Sequence, residues 1–320
     1  MGPELVWKAV LEWPVIVLCT AISIHWLLRW KRTSSAVDGV VQSGDRTSAP
    51  RPPSRASRFV PIVAVLLPVM VSIAVQEAIT FREVLTHFPA TVSYGALPLA
   101  MLASVAAAIV LGNGSGALSR VVGAIAVPSV AFVFLSPPGL GGGVPQLVAL
   151  VIAALAAVAT CSVPGRPGPA PLVGWWLVLA VASAMVLLSG FAKLAIVIGA
   201  LSAMAATLAV CAGTIGRPVM GNGLATSLVT AFVACAFLGC GYDESNYPRW
   251  TWALLAGAPA AAALGGLPGI RSRPRLCMAA LVLAPAGAAA LALAAAMMST
   301  ATIAGPADST IDPYASAVVP

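Results

Sequence analysis

Side chains able to do acid–base, nucleophilic or metal chemistry are scarce in this chain. Its 320 residues hold ten Asp and Glu, two His and six Cys. Two polar stretches concentrate the groups that face away from the ends. Residues 76–94 (QEAITFREVLTHFPATVSY) carry Glu77, Arg82, Glu83 and His87, and residues 241–250 (GYDESNYPRW) carry Asp243, Glu244 and Arg249. Glu83 and His87 are four apart, so on a helix they share one face. A carboxylate beside an imidazole favours its charged form, which makes such a pair sensitive to pH near neutrality. If the two stretches lie together, Glu77, Arg82, Glu83, His87, Asp243, Glu244 and Arg249 form one ligand or partner surface. A competing reading has both stretches hold helix ends at lipid headgroups, with Tyr94, Tyr242 and Tyr247 as interfacial anchors. Ile79, Phe81, Val84, Leu85 and Phe88 would then dip into lipid as one side of an interfacial helix.

The remaining candidates point away from catalysis. Cys19, Cys161, Cys211, Cys235, Cys240 and Cys277 are scattered, with no C-x-x-C pair and no His at metal-ligand spacing. They read as small apolar packing residues, so neither a metal nor a cofactor is expected. The glycine-rich turns at 112–116 (GNGSG) and 139–143 (GLGGG) lack the Lys-Ser/Thr of a phosphate-binding loop. No G-x-S-x-G or H-E-x-x-H is present. Thr226 and Thr230 share a helix face beside Ser227, where hydroxyls commonly bond back to the carbonyl four residues earlier. His25, beside Arg29, reads as interfacial.

The elements that must position these groups are set by composition. Hydrophobic residues make up 60% of the chain and charged residues 8%, and mean hydropathy is +0.98. Soluble domains carry roughly 25% charged residues, so this chain cannot coat a water-facing globule. Lys, Arg, Asp and Glu are absent from 96–119, 121–165, 167–192, 194–216, 218–242, 250–270 and 276–307. A hydrocarbon core about 30 Å thick needs about 20 apolar residues in helix. In lipid every backbone N–H and C=O needs a partner within the protein, which leaves helices or closed barrels. Barrel strands alternate apolar and polar residues, whereas these runs are apolar on every face. The expected fold is therefore all-α, a polytopic bundle of about ten membrane-spanning helices with no soluble domain.

Pro, Gly and charge punctuation places those helices at about 9–28, 59–77, 95–112, 119–135, 145–162, 171–189, 193–213, 223–240, 250–267 and 276–298. The stretch 171–213 is too long for one crossing, so a tight hairpin is expected at 189–193. Counting positive charge orients the bundle. With 29–58 cytoplasmic, Arg29, Lys31, Arg32, Arg46, Arg51, Arg55, Arg58, Arg120, Arg166, Arg217, Arg271, Arg273 and Arg275 lie inside, 13 of the 17 positive residues. Lys8, Arg82, Lys193 and Arg249 remain outside. This obeys the positive-inside rule and leaves both termini extracytoplasmic. The organisation expected is a first helix in 1–28, a disordered basic linker at 29–58, a nine-helix bundle over 59–298 and a disordered tail at 299–320. The net charge of +7 reports orientation and not nucleic-acid binding, which would need a basic face on a soluble fold.

Two finer features concern packing. Gly257, Ala261 and Gly265 recur at four-residue spacing, which lets helices approach closely. Pro128 and Pro259 fall mid-helix at matching places if the chain is two halves of five, although the halves share no residue-level similarity. The charge-free interior disfavours a pump that uses a buried carboxylate; Glu77, at a helix end, comes nearest to one. The expected function is a non-enzymatic component of a bacterial cytoplasmic membrane that meets the bilayer and a membrane-protein partner. The alternative is a permease or channel for a neutral or amphipathic solute, lined by Ser, Thr and backbone groups. A membrane-embedded enzyme without a recognisable motif ranks third.

Overall fold

The structure, a computed structural model, describes residues 117–133, 135, 143–162, 169–215 and 222–303, together with 97, 100–102 and 106. The helices expected at 9–28 and 59–77, the linker 29–58 and the tail beyond Ile303 lie outside the described residues, as do Glu77, Arg82, Glu83 and His87. Within the described residues the chain is helical and has no strand. It forms α1 (Ala117–Val133), α2 (Val144–Ser162), α3 (Ala170–Leu188), α4 (Ala192–Ile215), α5 (Asn222–Gly241) and α6 (Arg249–Gly257). A 3-10 segment (Ala258–Gly266), a single turn α7 (Pro268–Arg271) and the long α8 (Pro274–Ile303) follow. Five of these helices contain segments long and apolar enough to cross a membrane: Val144–Cys161, Ala170–Leu188, Ala192–Val210, Gly223–Gly241 and Pro274–Ser299.

Helix ends sort to two sides of the bundle. At one side Gly239, near the end of α5, meets Trp252 near the start of α6 and Val186 near the end of α3. At the other, Cys161 at the end of α2 meets Thr226 near the start of α5. Also at that side, Gly174 in the first turns of α3 meets Leu281 of α8. The order is therefore up-and-down, as short loops between spanning helices require. All described charged residues sit in a loop or the first turn of a helix.

The α3–α4 hairpin turns at Ser189 and Gly190, where expected. Gly190 has φ +94°, a left-handed backbone that glycine adopts without a Cβ penalty. Two hydroxyls fasten the pair. Ser183 Oγ donates to the carbonyl of Ala195 at 2.7 Å, and Ser202 Oγ to that of Trp176 at 3.0 Å. The core of the bundle is α5, in which 89% of the spanning residues are buried, against 28% in α2 and in α8. Edge-to-face ring pairs seat it: Trp175 against Phe232 at 5.8 Å and Phe132 against Phe237 at 5.6 Å. On the periphery, Leu147, Val151, Leu155 and Val158 of α2 are exposed along one stripe. Such a stripe is what a lipid-facing helix surface presents, since lipid tails are as apolar as leucine.

Three expectations are corrected. The ninth helix, expected as one element over 250–267, is α-helical only to Gly257 and continues as nine residues of 3-10 helix. Pro259 has no N–H for the Leu255 carbonyl and its ring crowds that position; the N–H of Ala258 takes the Leu255 oxygen instead. Because a 3-10 helix rises about 2.0 Å per residue and an α-helix 1.5 Å, the 18-residue stretch 249–266 reaches about 31 Å, a full hydrocarbon thickness. The small-residue stripe is corrected for the same reason. With three residues per turn, Gly257, Ala261 and Gly265 no longer share a face; a Cβ at Gly265 would lie 2.9 Å from the Leu281 side chain, while one at Gly257 meets nothing. Finally, α8 runs to Ile303, past the end expected at 298.

The closest backbone approach is elsewhere. Pro285 lies inside α8, so the carbonyl of Leu281, four residues earlier, lacks its helical donor. A Cβ added to Gly174 of α3 would overlap that carbonyl oxygen. Only a glycine lets the two backbones meet there, leaving a Cα–H facing the freed oxygen.

Candidate functional site

The loop 242–248 between α5 and α6 carries the polar residues nearest to a site, and it packs against the α3–α4 turn. The backbone N–H of Glu244 donates to the carbonyl of Ser189 at 3.0 Å, and Ser245 Oγ to that of Leu188 at 2.9 Å. Tyr242 lies against Phe191, with ring centroids 4.7 Å apart. Its hydroxyl is buried and has no partner.

Asp243 organises this loop. One carboxylate oxygen accepts the N–H of Ser245 at 3.0 Å. The other accepts the N–H of Tyr247 at 2.8 Å and the indole N–H of Trp252 at 3.0 Å. The short Asp side chain reaches back to its own backbone in this way wherever a turn leaves N–H groups unpaired. Between the N–H groups of Ser245 and Tyr247, Asn246 holds φ 56°, a left-handed backbone that Asn tolerates. Three donors occupy the carboxylate, so Asp243 serves the loop's shape and ties it to α6.

Glu244 is exposed and extends over the hairpin; its Oε2 is the atom a Cβ at Gly190 would meet, at 2.8 Å. Arg249 opens α6, is exposed and lines an apolar groove of about 250 Å³ between α2, α5 and α6. Asp243, Glu244 and Arg249 thus share one loop but serve three neighbours: Trp252, the hairpin and the groove. The four residues expected beside them, Glu77, Arg82, Glu83 and His87, lie outside the described residues. The groove itself was not legible in the sequence, because its walls come from three separated segments. Tyr247, expected as an interfacial anchor, is buried in the core.

Inside the bundle, hydroxyls are mostly engaged by backbone. Thr230 Oγ1 donates to the carbonyl of Thr226 at 2.8 Å, the back-bonding expected of it, and Thr160 and Thr207 bond four residues back in the same way. Thr226 Oγ1 lies 3.5 Å from Cys161 Sγ. Ser227 Oγ is buried with no partner. Cys277 Sγ donates to the carbonyl of Gly265 at 3.3 Å, tying α8 to the 3-10 segment. Among the described residues, Cys161, Cys235, Cys240 and Cys277 form no disulfide. Among the described residues no three His, Cys, Asp or Glu converge on a point that would hold a metal.

Among the described residues the chain is all-helical, with five helices long and apolar enough to cross a membrane. Compared with known proteins, the chain matches no family model, no curated protein and no solved structure.

Proposed function

We propose that the chain is a non-enzymatic membrane component that crosses the bilayer ten times, with both termini extracytoplasmic, and presents its outer loops and cytoplasmic linker to a membrane-protein partner. The observation carrying this reading is the sheathing of α5. Its spanning residues are 89% buried, and Leu228, Phe232, Cys235 and Leu238 pack against neighbouring helices with almost no exposure. Its Thr230 hydroxyl is spent on its own backbone. A solute path needs continuous polar groups or space, and side chains fill this axis. The 13-to-4 division of positive residues supports the orientation. The Arg-, Ala-, Gly- and Pro-rich composition supports a bacterial cytoplasmic membrane.

A permease for a neutral solute is the second reading, favoured by the unpartnered, buried Ser227 hydroxyl. Proteoliposomes carrying the purified chain separate the two. Efflux of glycerol and of a neutral amino acid should match protein-free vesicles. Efflux above that level, removed by Ser227→Ala, would reject the component reading and support the permease.

A further inference from the structure

At the end of the bundle where α2 and α6 begin and α5 finishes, these three helices leave a groove of about 250 Å³. Val148 and Ile152 form one wall, Val233 and Phe237 a second, and Trp252 a third, with Arg249 among the lining residues. An apolar cavity of about 150 Å³ already takes a benzene ring and stays dry, because water needs two to four polar partners. This groove has room for hydrocarbon and almost nothing for water to bond. Val148 is exposed, so the groove opens sideways along α2, beside the stripe of Leu147 and Val151. It lies beside the last turns of α5, a helix long and apolar enough to cross a membrane.

Arg249 is the one charged residue among the described lining residues. It is exposed. Of the two carboxylates of the same loop, Glu244 lies over Gly190 of the hairpin, and Asp243, behind the Trp252 wall, is occupied by the N–H groups of Ser245, Tyr247 and Trp252. We propose that this groove holds one acyl chain of an anionic phospholipid, whose phosphate rests on Arg249. A zwitterionic headgroup would bring an ammonium to the same cationic rim. An anionic one does not, and a surface Arg is worth about 1 kcal/mol toward anionic lipid, roughly a fivefold preference. This proposal stands whether the chain is a passive component or a permease.

Native mass spectrometry of the full chain, delipidated in detergent and titrated with phosphatidylglycerol or phosphatidylcholine, tests it. The wild-type chain should retain phosphatidylglycerol about fivefold better. Arg249→Gln should bring the two lipids level while both still bind. Ala253→Phe, which fills the groove from α6, should reduce retention of both; Val148→Phe, on the exposed wall, serves if that variant does not fold. Equal retention of the two lipids by the wild-type chain overturns the proposal, as does a preference that survives Arg249→Gln. Filling variants that lower the melting temperature without changing lipid retention also overturn it, and would mean that another part of this chain occupies the groove.

Discussion

α5 and the helical stretch that follows it, 249–266, are of similar length, rich in Ala and Gly, and in contact, yet they are built differently. α5 is an unbroken α-helix enclosed on nearly every side, and its fit depends on side chains. Phe232 and Phe237 meet rings from α3 and α1, and Gly239 makes room for Trp252. The second stretch changes helix type at Pro259 and gains length from the steeper 3-10 rise. Runs of 3-10 helix beyond three or four residues are uncommon because side chains three apart eclipse. Here the sequence APAAAALGG offers almost nothing to collide, and α8 supports it through Cys277 and Leu281. Proline does not by itself dictate the outcome. Pro128 and Pro285 sit inside helices that continue through them. What differs is what the neighbours do with the freed carbonyl: Ala258 takes up that of Leu255, whereas Gly174 accommodates that of Leu281.

Glycine substitutions sharpen this contrast, because the same added methyl meets backbone, a ring or nothing. The largest effect belongs to Gly174→Ala. The new Cβ would overlap the Leu281 carbonyl oxygen, and backbone in the middle of a helix cannot swing away. Thermal or denaturant unfolding in detergent should show a loss of about 1–3 kcal/mol, the usual cost of overpacking. Unchanged stability would mean that α3 and α8 do not touch at Leu281. Gly239→Ala should destabilise at the lower end of that range. Its Cβ would lie 2.7 Å from the Trp252 ring, and that ring is held by the indole N–H on Asp243. Combining it with Asp243→Ala should therefore cost less than the two single losses together, since an untethered Trp252 can move aside. A strictly additive pair would show that Asp243 does not hold the ring.

The smallest effect has the opposite sign. Gly257 lies in open space with φ −79°, a conformation alanine shares. Gly257→Ala should stabilise the protein by about 0.4–1 kcal/mol through lost freedom in the unfolded chain. A loss at this position would mean that the junction before Pro259 needs a glycine for reasons of fit, and the picture of a loosely surrounded second stretch would fail.

Much of the fold was legible because the bilayer makes backbone satisfaction a local matter. The helices expected at 119–135, 145–162, 171–189, 193–213, 223–240 and 276–298 are found with ends shifted by a few residues, and the Ser189-Gly190 turn is in place. The 3-10 segment was not legible, since Pro259 in sequence looks like Pro128 and Pro285, which sit inside helices that continue through them. Nor was Asp243. A carboxylate in a polar loop reads equally as a ligand group or a turn former, and only the positions of Tyr247 and Trp252 decide between them. The tight approach was expected at Gly257, Ala261 and Gly265 from spacing. It occurs at Gly174 because a proline more than a hundred residues away frees the carbonyl that Gly174 faces.

In the function proposed above, side chains and not water fill the axis of the bundle. Cys235 sits there, near the middle of α5 and fully buried. In a chain whose other five cysteines are replaced by alanine, Cys235 reports on that axis directly. A charged, membrane-impermeant thiol reagent, applied in turn to each face of reconstituted vesicles, should leave Cys235 unmodified. Labelling should be complete once the chain is unfolded in detergent. Modification of Cys235 in the folded protein from either face would place water at the centre of the bundle and contradict the account.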